Sequence, residues 1–205
     1  TKNELVQVIL ILKKLHNLQL NIENKNPSTP YLNWIPSQTL DEIKIIIKKI
    51  QAPSDFDYLA NECLLIIEQV SNKYNKQIEN LVKNSEEYAH FDIHPHNILF
   101  KDGKLLSIID LESFVNVRSI LATSFGIFKL SRKCFAKKSI KKNEFHNLIK
   151  NDFNIDDLKA YSQIELCRRM FLIIELHYLK SNNEWDFDLI KHFNGIKESS
   201  YIFSK

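Results

Sequence analysis

The sequence HFDIHPHNILFKDGKLLSIIDLE runs from His90 to Glu112 and carries the most informative pattern of the chain. Three oxygen-bearing side chains border its short apolar runs, namely those of Asp92, Asn97 and Asp110. Transfer of a phosphoryl group to a hydroxyl needs a carboxylate that orients the nucleophile and accepts its proton, together with oxygen ligands that hold magnesium on the phosphates. Side chains of these types could supply both.

A β-hairpin is predicted within this stretch. The apolar run 98–100 is followed by the pair Asp102-Gly103, which is typical of a two-residue hairpin turn. The apolar run 105–109 then forms the returning strand. Because Asn97 begins one strand and Asp110 follows the other, the hairpin is expected to bring these two side chains close together.

The pattern His90-x-Asp92-x-x-x-x-Asn97, followed by Ile109-Asp110, resembles the catalytic loop and metal-binding segment of the aminoglycoside phosphotransferase and choline kinase-like family. That family has a protein kinase-like fold and phosphorylates small molecules. The His-Pro-His-Asn run at positions 94–97 is closer to this family than to the protein kinases, whose loop usually carries Lys after the Asp.

The resemblance implies a chain that is mostly α with a small β-hairpin and that forms the C-terminal lobe of a protein kinase-like fold, as a single domain over residues 1–205. It also implies an ATP-dependent phosphotransferase acting on a hydroxyl of a small molecule. Asp92 would be the catalytic base, while Asn97 and Asp110 would bind Mg²⁺.

Four other residues have supporting roles in this interpretation. By the resemblance, His90 would brace the loop rather than take part in the chemistry, and Leu99 and Ile109 would form the floor beneath the adenine of ATP. Glu112 lies next to the predicted metal site. It is expected either to assist binding of substrate or metal, or to be a surface or capping carboxylate.

Glycine is scarce, with only Gly103, Gly126 and Gly195 in the chain, so neither glycine-rich phosphate-binding motif exists here. In the resembled family an N-terminal lobe supplies the loop that covers the phosphates, a lysine for the phosphates and the hinge for the adenine. None of these is found among the 205 residues. That lobe is therefore expected as a partner, in cis or in trans.

Three positions depart from the pattern of the family. Phe91 and His96 stand where the family usually has Gly, and Ile120 stands where an Asp usually begins the following helix. The missing lobe, Phe91 and Ile120 favour the competing function, a catalytically inactive kinase-like domain that binds or acts as a scaffold. The retained Asp92, Asn97 and Asp110 favour the kinase, since a scaffold needs neither a base nor metal ligands.

Two other interpretations of the same stretch stay open. His90, Asp92, His94 and His96 alternate along the chain and could form the zinc or iron cluster of a hydrolase, although this leaves Asn97 unexplained. Alternatively, these side chains are ordinary turn polars that cap loops, with a buried histidine satisfied by the backbone.

The composition describes a globular chain that is nearly balanced in charge. Hydrophobic residues make up 44% of the 205 residues, and the net charge of +3 gives no argument for a nucleic-acid partner. Scattered lysines are interpreted as solvated helix faces. No apolar run reaches the roughly 18 residues of a membrane span, and no signal-peptide pattern opens the chain. Cys63, Cys134 and Cys167 are expected to be buried thiols in a reducing compartment, which predicts a cytoplasmic location.

Helical periodicity surrounds the hairpin on both sides. Capping residues are expected at Thr39 and Ser54, and the aromatic residues of the last helix are expected in the core. A proline-rich loop is expected from Ile22 to Ser37. The predicted helices span about 1–20, 39–53, 54–83, 116–133, 143–151, 155–180 and 184–201.

Overall fold

The protein is described here by a computed structural model that covers residues 2–17, 34–82, 87–94, 96–110 and 114–204. Within these ranges the backbone alone is described for residues 13, 15–17, 88 and 114–116. Most of the predicted loop from Ile22 to Ser37 lies outside the described residues, and so does Glu112.

The described chain is mostly helical with a small amount of antiparallel β-structure, which confirms the predicted mostly α class. None of the described helices has the length and apolar character needed to cross a membrane. The helices are α1 (Lys2–Asn17), α2 (Ser37–Lys48), α3 (Asp55–Lys73), α4 (Asn75–Val82), α5 (Ser119–Ala136), α6 (Lys142–Ile149), α7 (Ile155–Lys180) and α8 (Asp186–Ile202). The strands are β1 (Tyr88–His90), β2 (Ile98–Lys101), β3 (Lys104–Ile108) and β4 (Phe114–Asn116).

Strands β2 and β3 form the predicted hairpin, with Ile98 opposite Ile108. Asp102 and Gly103 form its turn and have φ angles of 50° and 72°, the left-handed conformation that a type I′ turn requires at both central positions. Gln7 of α1 holds this turn in place. Its amide nitrogen donates to the Gly103 carbonyl at 2.8 Å, and its amide oxygen accepts from the backbone N–H of residue 105 at 2.8 Å.

Strands β1 and β4 form a second antiparallel pair that was not predicted, with Ala89 opposite Val115. The helix predicted to start at Asn116 therefore begins later, at Ser119, because Asn116 is still paired with β1. The two strand pairs flank the loop of Asp92 and Asn97, so each end of that loop is anchored by β-structure.

Helix boundaries before the hairpin differ from the prediction at two points. Helix α2 starts at Ser37, since the Pro36 carbonyl accepts the first helical hydrogen bond, and Thr39 therefore lies inside the helix rather than capping it. Ser54 does cap α3, in a capping box with Asp57. The predicted long helix is divided at Tyr74, whose backbone leaves helical geometry and whose buried hydroxyl donates to Gln163 at 3.1 Å.

The described chain divides into two compact units. The first comprises Thr1–Leu32, Lys83–Ser162 and Ser199–Lys205 and contains α1, α5, α6 and all four strands. Its α1 and α5 pack on each other, and α5 is buried along nearly its whole length up to Ser131. The apolar core of this unit includes Leu5, Val8, Leu12, Ile93, Leu121, Phe125, Phe128, Phe145 and Phe203.

The second unit comprises Asn33–Val82 and Gln163–Glu198. A fully buried carboxylate, Glu165, accepts hydrogen bonds from Arg168 at 2.8 Å and Arg169 at 2.7 Å. Burial alone would raise the pKa of Glu165, but the two guanidinium groups outweigh burial and hold it below its ordinary value. The apolar core of this unit includes Ile43, Cys63, Leu64, Ile67, Cys167, Met170, Ile174 and Leu189.

Two predictions about side-chain burial need correction. The aromatic residues of the last helix are not core residues, since Trp185, Phe187 and Tyr201 are exposed, and α8 instead buries Leu189 and Ile202. Of the three free cysteines, two are buried as predicted, while Cys134 is only partly buried. Burial raises the pKa of Cys63 to about 12 and raises that of Cys167 as well, so both are unreactive thiols.

Candidate active site

Asn97 lies at the centre of the polar residues that the sequence singles out. Its side-chain nitrogen donates to the backbone carbonyl of Asp92 at 3.0 Å. The same nitrogen lies 3.2 Å from an oxygen of the Asp92 carboxylate and 3.2 Å from an oxygen of the Asp110 carboxylate. The structure thus brings together all three residues predicted to act as base and metal ligands, although the roles themselves stay predictions.

The backbone around Asp110 explains how this residue reaches Asn97. The N–H of Ile109 donates to the Asn97 carbonyl at 3.0 Å and extends the pairing of β2 with β3 by one residue. Asp110 then adopts a φ angle of 65°, in the left-handed region that non-glycine residues rarely occupy. This conformation turns the chain sharply at the end of the hairpin, and backbone strain of this kind is concentrated at functional sites.

Both ring nitrogens of His90 bind backbone atoms of the site. Its Nδ1 accepts from the backbone N–H of Asp92 at 3.3 Å, which places the proton on Nε2. Nε2 lies 3.0 Å from the Ile109 carbonyl and donates to it. The buried His90 ring therefore ties the Asp92 loop to the Asp110 segment, which is the geometry expected of a residue that braces the loop.

The ring of His94 also contacts other residues of the loop. Its Nδ1 accepts from the backbone N–H of His96 at 3.2 Å, and its Nε2 lies 3.0 Å from the Asp92 carboxylate. Partial burial lowers the pKa of His94 and Lys129 lowers it further, while Asp92 opposes both effects. Near neutral pH the ring is therefore uncharged and donates an ordinary hydrogen bond to Asp92.

The strongest partner of Asp92 comes from a distant helix. The ammonium group of Lys129, on α5, donates to the other Asp92 carboxylate oxygen at 2.9 Å. It also lies 5.0 Å from the centre of the Phe125 ring, a distance typical of a cation–π contact. The interpretation of the lysines as solvated faces is wrong for Lys129, because its side chain is only 20% exposed.

The positions that depart from the family pattern find physical partners. Phe91 is buried, and its ring centre lies 6.5 Å from that of Phe125 on α5. The exposed His96 packs its ring edge against His94 at 5.4 Å. Neither Phe91 nor His96 has a positive φ angle, so the backbone does not require glycine at either position.

The first turn of α5 is bound by an acid that is distant in sequence. Ile120 occupies this turn, where it cannot accept a hydrogen bond, and the helix has no side-chain cap of its own at Arg118. The carboxylate of Glu87 accepts from the N–H of Ser119 at 2.7 Å and from its hydroxyl at 2.6 Å. Glu87 thus supplies the acidic cap that the residue at position 120 lacks.

The two predicted metal ligands are an amide and a carboxylate, which offer oxygen ligands of the kind that magnesium takes. The side-chain nitrogen of Asn97 faces the carboxylates of both Asp92 and Asp110, so its amide oxygen is the atom left for other partners. Magnesium on a nucleotide takes only one or two protein oxygens, because phosphates and water fill the other positions. Among the described residues no group of three or more His, Cys, Asp or Glu is arranged for a metal ion. With the ring nitrogens of His90 and His94 used inside the loop, the geometry does not support the hydrolase cluster.

The predicted adenine floor is an exposed apolar surface on the hairpin. Leu99 and Ile109 are each 40% exposed. Because Leu99 pairs with Ser107 and Asn97 binds Ile109, these residues lie on the same face of the hairpin as Asn97. An apolar ligand seated there would be next to the candidate metal site.

Sequence reasoning missed Lys129 and Glu87, since both act across long separations. A signal for Lys129 does exist, because it is the first charged residue after ten uncharged ones in an otherwise buried helix.

No family model, no curated protein and no solved structure matches the chain. The kinase-like interpretation therefore stays a prediction that is based on the motif.

Proposed function

We propose that this chain is the catalytic lobe of an ATP-dependent phosphotransferase with a protein kinase-like fold, and that it phosphorylates a hydroxyl of a small molecule with Mg²⁺ as cofactor. The observation that carries the proposal is the convergence of Asp92 and Asp110 on the side chain of Asn97. Carboxylate and amide oxygens that meet in this way are ligands of the kind that Mg²⁺ prefers.

Each of the residues around Asn97 would have a separate role in the reaction. Asp92 orients the acceptor hydroxyl and accepts its proton as the new bond to phosphorus forms. Its side chain is 40% exposed, so an acceptor can reach it. Magnesium held by Asn97 and Asp110 would neutralise charge on the phosphates that it bridges. His90 keeps these residues in register by binding both segments.

A kinase assay on the full-length gene product tests this function. The protein is incubated with MgATP and a panel of small-molecule alcohols, and ADP formation is followed. An acceptor that raises the rate identifies the substrate class. We expect Asp92→Asn to reduce turnover by about 10² to 10⁴-fold, because it removes the proton acceptor and keeps the shape of the side chain.

Asp102→Asn is the matched control, because it makes the same chemical change at the exposed turn of the hairpin, where Asn tolerates the positive φ angle. It should leave turnover unchanged. Turnover of Asp92→Asn within a few-fold of wild type would exclude Asp92 as the base. MgATP binding by the wild-type protein without transfer to any acceptor would favour the kinase-like scaffold.

A further inference from the structure

Lys129 occupies a position where the fold alone does not require a charge. It follows ten uncharged residues of α5, and most of the side chains in that segment are buried. A largely buried ammonium group is unfavourable unless it is paired. Lys129 is paired with the Asp92 carboxylate at 2.9 Å, the residue that the proposed function makes the base.

The helix that carries Lys129 packs closely on the loop of Asp92. A Cβ atom added at Gly126 would lie 3.3 Å from the Cβ of Ile93, which is tighter than an ordinary contact, so the helix backbone lies close to the loop at this point. Gly126 lies one turn before Lys129. Because Ile93 is buried next to Asp92, this contact places the helix segment that carries Lys129 close to the Asp92 loop.

The two oxygens of Asp92 have different partners. One oxygen accepts from Lys129, and the other lies 3.0 Å from His94 Nε2 and 3.2 Å from the Asn97 nitrogen. Donors on both oxygens fix the plane of the carboxylate. The partners of the second oxygen belong to the loop itself, whereas Lys129 is supplied by a separate element and carries a full charge.

We propose that Lys129 is a positioning residue, which keeps the Asp92 carboxylate aimed at the acceptor hydroxyl. The inference rests on the proposed function. In the step it serves, the acceptor O–H bond breaks and its proton passes to Asp92. The acceptor oxygen bonds to the γ-phosphorus of ATP while the bond from that phosphorus to the bridging oxygen breaks, and ADP leaves with the electron pair.

The test uses Lys129→Met, Lys129→Arg, Asp92→Asn and the double variant Asp92→Asn with Lys129→Met, in the full-length gene product. Hydrolysis of MgATP, with water as the acceptor, is the turnover assay. We expect Lys129→Met to lower kcat by about 10²-fold with little change in KM for MgATP, since a misplaced base affects the chemical step. Arg restores the charge and should recover most of kcat. The double variant should be no slower than Asp92→Asn, because Lys129 acts through Asp92.

A second readout does not depend on turnover. The ¹³C signal of the Asp92 carboxyl group, recorded at one pH, should move in Lys129→Met and return toward its original position in Lys129→Arg. Lys133→Met is the matched control, since Lys133 lies one turn further along α5 and is exposed. Lys133→Met should change neither the ¹³C signal of the Asp92 carboxyl group nor kcat. Thermal unfolding of each variant identifies any that fails to fold, and the arginine variant then tests the inference by itself.

Each contrary result has a separate meaning. An unmoved carboxyl signal in Lys129→Met overturns the inference whatever the turnover. A turnover of Lys129→Met within threefold of wild type, with Asp92→Asn inactive, overturns the inference and leaves the proposed function intact. A wild-type turnover that does not depend on Asp92 overturns the proposed function, and the inference with it.

Discussion

The side-chain amide of Asn97 does what neither a carboxylate nor a longer amide could do at this position. Its nitrogen donates to the Asp92 carbonyl and faces two carboxylates, while its oxygen remains as a ligand for a hard cation. An aspartate there would offer no donor and would add a third negative charge. An asparagine is therefore a suitable residue for the proposed cation site next to Asp92.

Asp110 gives the first prediction, because its φ angle of 65° is tolerated by few residue types. Valine is β-branched and unfavourable in this conformation, so we expect Asp110→Val to lower the free energy of unfolding by about 1 to 3 kcal/mol. Asn adopts positive φ angles readily, and Asp110→Asn should keep the stability while it removes the charge. Urea unfolding measures both variants.

A loss of stability that is equal in Asp110→Val and Asp110→Asn would show that the lost carboxylate, not the backbone conformation, is responsible. A third variant, Asp110→Gly, separates the two effects further. Glycine accepts the φ angle without strain and has no side chain. It should therefore be more stable than Asp110→Val.

The hairpin and the second strand pair differ in how far the sequence predicts them. The turn at Asp102-Gly103 is predictable because its two residues carry their own conformational preference. The pairing of β1 with β4 is not, since each strand has only three residues and the partner lies beyond the hairpin. Asn97 and Asp110 are predictable as neighbours because the hairpin joins them. The contact of Lys129 with Asp92 is not predictable, because the two residues are far apart in the sequence and no hairpin joins them.

Helix α5 positions the site through its close approach at Gly126. We expect Gly126→Val to destabilise the protein by about 1 to 3 kcal/mol, because the new side chain would press on Ile93, which is buried. The displaced loop should also show faster amide hydrogen exchange at Asp92. Urea unfolding and hydrogen exchange by NMR measure the two effects.

Ala136→Val is the control for this prediction, since it introduces the same β-branched residue at the exposed end of the same helix. It should cost only the small difference in helix propensity, about 0.5 kcal/mol. Equal effects of the two variants, with unchanged exchange at Asp92, would mean that the contact of Gly126 with Ile93 does not position the loop.

The stability of the whole protein should depend on pH through its buried carboxylates. Burial alone would raise the pKa of Asp57 and of Glu165, but their hydrogen-bond and charge partners lower both below the ordinary value. A carboxyl group of this kind stabilises the fold above its unfolded pKa, and that contribution is lost as the pH falls through the folded pKa. The free energy of unfolding should therefore decrease below about pH 4.

Glu165→Gln tests the contribution of Glu165 to this pH dependence. It leaves the buried Arg168 without its carboxylate, so we expect a loss of about 3 to 5 kcal/mol at pH 7 and a weaker decline in acid. Glu184→Gln, at an exposed position, should change neither the stability at pH 7 nor its decline in acid. Chemical unfolding from pH 3 to pH 7 measures all three proteins. A decline in Glu165→Gln as steep as that of wild type would assign the acid sensitivity to other groups.

The affinity for a nucleotide depends on all the surfaces that surround it. The hairpin of this chain would cover the adenine on one side only. Good ligand sites bury about 70 to 90% of the ligand. Leu99 and Ile109 form only one exposed surface. We therefore expect residues 1–205 to bind MgATP with a Kd in the millimolar range or weaker, about 4 kcal/mol or less, by titration calorimetry. Micromolar affinity would mean that these residues form a complete nucleotide site.

The central claim is that Asn97 and Asp110 hold a divalent cation beside Asp92, and a paramagnetic ion tests it most directly. Mn²⁺ prefers the same oxygen ligands as Mg²⁺ and broadens the NMR signals of nearby nuclei, even when its affinity is weak. With ATP present, Mn²⁺ added to residues 1–205 should broaden the amide signals of Asn97 and Asp110 first. Asp110→Asn should abolish this, and Asp102→Asn should not. Broadening that persists in Asp110→Asn, or that begins elsewhere in the chain, would contradict the claim.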